Sequence, residues 1–114
     1  LGRQRIGINP AANDALVVLG QQIRLARRDR NWTASELAAR SGVSERTVLA
    51  AEAGTAATSI GNVFNVAVAA GVPLFATTDV DELARIRFRG QEIRALMPAR
   101  VVHPRKVSDV STDF

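Results

Sequence analysis

Apolar residues recur along the chain at three- and four-residue steps, first as Leu16, Leu19, Ile23 and Ala26. That spacing marks one face of an amphipathic helix. Asn13 or Asp14 can cap its start, so the pattern predicts a first helix over about 14–30. Residues 1–12 show no sustained period and read as a flexible N-terminal arm. The next start is sharper, because Thr33-Ala34-Ser35-Glu36 fits a capping box, flanked by Trp32 and Leu37 as a hydrophobic staple. A second helix over about 34–40 turns Leu37 and Ala38 inward and stops at Ser41-Gly42, where glycine accepts the left-handed conformation. Val43 reads as a buried plug and Ser44 as the cap of a third helix over about 45–53, ended by Gly54.

Ser59 caps a fourth helix over about 59–71, whose inward stripe is predicted as Ile60, Val63, Phe64, Ala67 and Ala70, closed by Gly71 and Pro73. Val66 and Val68 then flank the core. Asp81 and Glu82 place negative charge at the positive end of a fifth helix over about 81–97. Its face carries Leu83, Ile86, Ile93 and Met97, and Gly90 is expected to bend or weaken it. The predicted class is all-α, a compact bundle of about five helices. Residues 13–75 form its main domain, 76–98 add a further helix, and 99–114 make a flexible C-terminal tail.

Composition narrows the chemistry. Of 114 residues 46% are hydrophobic but only 4% aromatic, so the core is built from small aliphatic side chains. There is no Cys and one His, His103, which leaves no ligand set for a metal and no cofactor is expected. No apolar run reaches the roughly 20 residues of a membrane span, and a cytoplasmic, nucleoid-associated protein is expected. An enzyme is not: the chain has no Gly-rich phosphate loop with Lys, no nucleophile beside a His, and no paired carboxylates outside capping positions. The net charge is +4. Six Arg stand against Asp14 and Asp29 in residues 1–31, a balance compatible with a polyanionic partner.

Two short helices joined through Ser41-Gly42-Val43 are the arrangement that projects a second helix into a DNA major groove, although a helical hairpin inside another bundle has the same outline. The wider context separates these. Gly20 to Arg27 read Gly-Gln-Gln-Ile-Arg-Leu-Ala-Arg, followed by Trp32-Thr-Ala-Ser-Glu-Leu-Ala-Ala-Arg-Ser-Gly-Val-Ser-Glu-Arg-Thr-Val48, then Glu52, Gly54 and Ser59-Ile-Gly-Asn-Val63. With these motifs residues 16–74 resemble the Xre/Cro-type helix-turn-helix family. The resemblance implies that Ala38, Val43, Val48 and Ala51 are core positions and that Arg27 and Glu52 form a structural ion pair.

It also implies a DNA-facing set. Thr33, Ala34 and Ser35 lie at the start of the second helix, Ser44, Glu45, Arg46, Leu49 and Ala50 on the third, and Thr55, Thr58 and Ser59 in the loop and cap beyond. The function implied is a sequence-specific transcriptional regulator, a repressor binding a palindromic operator on double-stranded DNA as a homodimer. Many family members carry Gln where this chain has Ala34 and a polar or basic residue at Leu49, Ala50 or Ala53, so base readout is thin. Dimerisation is expected through Ile86, Ile93 and Met97. The layout of an added helix and a tail ending in Phe114 also resembles the HipB-like antitoxins that partner HipA-like kinase toxins. A module that binds proteins and no specific DNA is the alternative. Arg3 and Arg5 offer a minor-groove arm, or no contact at all.

Overall fold

The computed structural model describes residues 7–101 together with His103 and Pro104; Arg3, Arg5 and the end of the tail with Phe114 lie outside the described residues. Among the described residues five helices follow one another: α1 (Pro10–Asp29), α2 (Ala34–Ser41), α3 (Glu45–Glu52), α4 (Ile60–Ala70) and α5 (Val80–Ala95). Among the described residues no strand forms, and the one bridge, Leu74 with Thr77, stands isolated. The all-α class is as expected. The chain divides into two units, Leu1–Asp79 with α1 to α4 and Val80–Phe114 with α5. No helix among the described residues is long and apolar enough to cross a membrane.

Local chemistry sets most helix ends. Thr33 Oγ1 accepts from the Glu36 amide while Glu36 Oε1 accepts from the Thr33 amide, both at 3.0 Å, which completes the capping box. Ser44 and Ser59 cap α3 and α4 by accepting from the Thr47 and Asn62 amides. Gly42 ends α2 at φ 71°, where a side chain would be strained. The start of α1 departs from the expected position near residue 14. Asn9 is the cap, its Oδ1 accepting from Ala11 N at 2.8 Å, and Pro10 occupies the first turn. Proline suits that site because its missing N–H has no helical partner there.

In the first unit α2 packs on α3 and α4, and α1 packs on α3 and α4. Ile23, Leu37, Val48 and Val66 are fully buried at the centre, with Ala38, Ala51, Val63, Ala67, Ala70 and Val72 around them. Burying each of those four large side chains is worth about 1.5–3 kcal/mol. The phase of α4 differs from the predicted stripe. Val66 is buried, whereas Ile60 is 72% exposed and Phe64 only half-buried. In a helix this apolar on all sides the periodicity leaves the inward face ambiguous, and the neighbouring helices choose Val63, Val66, Ala67 and Ala70.

Small residues let α1 approach α3. A Cβ on Gly20 would lie 2.5 Å from the Glu52 carbonyl oxygen and 2.6 Å from that of Ala51. One on Gly54, already at φ 71°, would meet the Val17 backbone at 2.9 Å. In the second unit α5 runs without interruption through Gly90, ends at Ala95 and buries none of its residues. Gly90, where a bend or weakening is expected, lies inside this continuous helix, since an isolated glycine lowers helix propensity without breaking the backbone pattern.

Candidate nucleic-acid interface

The helix-turn-helix is assembled from α2, the turn Gly42-Val43 and α3. Leu37, Ala38, Val48 and Ala51 are buried and Val43 packs half-buried against them. Burying these residues leaves the opposite face of α3 outward: Ser44, Glu45 and Arg46 are exposed, Leu49 is 49% exposed and Ala50 is half-buried. Arg46 is therefore a free guanidinium on the outer surface, with Glu45 beside it as an acceptor. Ala34, placed in the DNA-facing set by resemblance, is half-buried and packs on its inner side against the core. A methyl side chain has no donor or acceptor in either setting.

Three helix starts of the first unit carry hydroxyl caps. Thr33, Ser44 and Ser59 are exposed and each uses its oxygen to accept a cap amide. A hydroxyl that accepts a cap bond still has its own O–H to donate, and the unpaired amides of a helix start favour an anion. Ser35 and Thr55 are exposed and Thr58 is half-buried, with Thr58 N donating to Thr55 O at 3.1 Å to tighten the loop before α4. The arrangement offers hydroxyls and amides suited to phosphate around one cation suited to a base or a phosphate.

The structure brings Arg27 and Glu52 together. Arg27 Nε donates to Glu52 Oε2 at 2.6 Å and Nη2 to Oε1 at 3.0 Å, a bidentate pair whose side chains are 13% and 6% exposed. Its hydrogen bonds to Glu52 are the main reason that the Arg27 pKa is raised. Arg27 Nη1 also donates to Trp32 O at 3.0 Å, so one guanidinium ties α1 both to the end of α3 and to the residue before the α2 cap.

A second basic assembly fixes the same corner. Two guanidinium groups lie over the Trp32 ring, that of Arg40 4.1 Å from its centroid and that of Arg30 at 5.2 Å. Arg30 Nε donates to Ala70 O at 3.0 Å, placing a cation on the negative end of α4. Beside it Gly71 leaves room, since a Cβ there would collide with Arg30 Nη2. The bond from Arg30 to Ala70 O has no local sequence signal, because the two residues lie 40 positions apart.

Of the residues expected at a dimer contact, Ile86, Ile93 and Met97 are 37%, 60% and 63% exposed. Glu82 Oε2 accepts from Arg85 at 2.9–3.0 Å, and Arg87 Nη1 donates to Gln91 Oε1 at 3.1 Å.

Compared with known families, residues 23–76 match the family model described as helix-turn-helix. No curated protein and no solved structure gives a significant match.

Proposed function

We propose that this chain, which belongs through residues 23–76 to the Xre/Cro-type helix-turn-helix family, is a repressor that binds a palindromic operator as a homodimer. Its family makes it a DNA-binding transcription regulator. The observation that supports the finer reading is the outward face of α3, where Glu45, Arg46 and Leu49 are exposed while Val48 and Ala51 anchor the helix from behind. In the major groove Arg46 suits the O6 and N7 acceptors of guanine, Glu45 the cytosine amino group and Leu49 a thymine methyl. Thr33, Ser35, Ser44, Thr55, Thr58 and Ser59 hold the phosphates.

So few base-reading groups make a weakly selective monomer. Two copies double them on half-sites about 34–36 Å apart, one turn of DNA. On the first unit Val18 and Leu25 of α1 and Ile60 and Val68 of α4 are exposed and supply apolar surface for contact between copies. Repression then needs only occupancy of the operator.

Selection of bound duplexes from a random pool tests the reading, followed by titration of wild type and Arg46→Ala on the selected and a random duplex. The selected site should be an inverted repeat, and Arg46→Ala should lose about 1–3 kcal/mol on it but little on random DNA. Equal loss on both moves Arg46 to a phosphate. Retention without enrichment of any sequence overturns specific recognition, and a single half-site bound by one copy overturns the dimer.

A further inference from the structure

The pattern along α5 is a heptad seam. Leu83, Ile86, Gly90 and Ile93 follow in steps of three, four and three, the a and d positions of a helix that pairs lengthwise with another, and Met97 continues the spacing in sequence just past the end of α5. Leu83 is half-buried, Ile86, Ile93 and Met97 are exposed, and no residue of α5 is buried. At the middle of the seam sits Gly90, a residue less favourable in a helix interior than Ala. Apart from the neighbouring backbone of its own helix, no atom lies within 4 Å of the place a Cβ would take there. Gly90 is thus an open notch between two isoleucines.

The positions bordering such a seam decide which helix lies on it. Here they are Arg87 and Arg94 on one edge and Glu82 and Arg89 on the other. Glu82 already pairs with Arg85 at 2.9 Å and approaches Arg89 at 3.8 Å. Against a parallel second copy, Glu82 would meet Arg87 but Arg89 would meet Arg94, so each attraction is matched by a repulsion. An antiparallel copy sets the Arg87 and Arg94 edge against itself. A helix with carboxylates along both edges meets three guanidinium groups with attraction and Glu82 alone with repulsion.

We propose that α5 is a docking helix for an acidic amphipathic helix of another protein, which lays apolar side chains on the seam, fills the Gly90 notch with a bulky one, and sets its carboxylates against Arg87, Arg94 and Arg89. This replaces the second copy expected on Ile86, Ile93 and Met97. It rests on α5 alone and stands apart from the DNA reading, because binding is measured without DNA.

The test uses the full chain and two labelled helical peptides of about three heptads, both with Leu at a and d, one with Glu and one with Lys at the edge positions. Fluorescence anisotropy at low salt should show the Glu peptide binding about 10-fold or more tighter than the Lys peptide, with the difference shrinking as salt screens the edges. Arg87→Gln/Arg94→Gln should erase the preference and Arg87→Glu/Arg94→Glu should reverse it, with unchanged far-ultraviolet ellipticity as the control for folding. Equal affinity for both peptides overturns the proposal. So does displacement of the Glu peptide by random duplex DNA, which assigns the arginines to phosphate, or self-association abolished by Ile93→Asp, which returns the seam to a second copy.

Discussion

Removing the Glu52 carboxylate leaves a guanidinium that has little water to turn to. The side chain of Arg27 is 13% exposed and that of Glu52 6%, and two of the three side-chain hydrogen bonds of Arg27 end on Glu52. Breaking such a buried pair from one side costs about 3–5 kcal/mol, most of it the uncompensated charge. Arg27→Met, which strands the more buried carboxylate, falls at the upper end, and Glu52→Leu, which leaves Arg27 its bond to Trp32 O, at the lower. A unit of this size has about 4–12 kcal/mol of stability in all, so either variant removes a large share. Each kcal/mol is also worth about 4–8 °C in Tm.

The decisive measurement is the double variant Arg27→Met/Glu52→Leu, which leaves no charge behind and puts apolar surface in the space. It should be more stable than Arg27→Met alone, with a coupling of about 0.5–3 kcal/mol across the cycle. Urea unfolding of the four proteins followed by Trp32 fluorescence supplies the numbers, with a common m-value showing that the unfolding reaction is unchanged. If the losses add to within about 0.3 kcal/mol, the pair does not hold α1 to α3 and the account fails.

Gly20→Ala drives a methyl into two backbone carbonyls that cannot move as a flexible side chain does, so it should cost about 1–3 kcal/mol or more; Gly61→Ala, with nothing within 4 Å, should raise stability by up to about 1 kcal/mol, and equal effects in thermal melts would deny the close crossing. Glu36 accepts from the Thr33 amide, which holds its pKa below the ordinary value; with the folded value under the unfolded one, its contribution is complete above the unfolded carboxyl range near about 4.3 and is lost as pH falls through the lower folded value. Carbon NMR should place the Glu36 midpoint below that of a Glu in an unstructured peptide, and a midpoint at or above it refutes the capping box. Arg30→Met keeps bulk over Trp32 but removes the donor to Ala70 O, and a loss of about 1 kcal/mol or more is expected in urea; no loss would leave the end of α4 without need of it.

The parts legible in the sequence are those whose causes lie within a few residues. Thr33 with Glu36, Ser44, Ser59 and the glycines at 42, 54 and 71 carry their own reason for a helix to start or stop, and α2, α3 and α4 fall close to the expected spans. The α1 start was displaced because Asn9 and Asn13 are chemically alike as caps, and only Pro10 in the first turn favours the earlier one. On α4 nearly every residue is apolar, so its inward face is chosen by α1, α2 and α3. Arg27 with Glu52 was reached through family resemblance alone. Gly20 against the end of α3 and Arg30 and Arg40 around Trp32 were missed for a common reason: what gives each its role is remote in sequence or visible only once α1, α2 and α4 are packed.

Trp32 is the only tryptophan in the chain, which has a consequence for any spectroscopic measurement. With two guanidinium groups over its ring in the first unit, its emission reports the opening of that unit and is silent about the second. Circular dichroism sums over both, and α5, with 16 residues and no buried side chain, is short for a helix that must persist by itself in water. Melting curves from the two signals therefore need not superimpose, and the interval between them measures how independently the arginine-edged helix gains or loses its order.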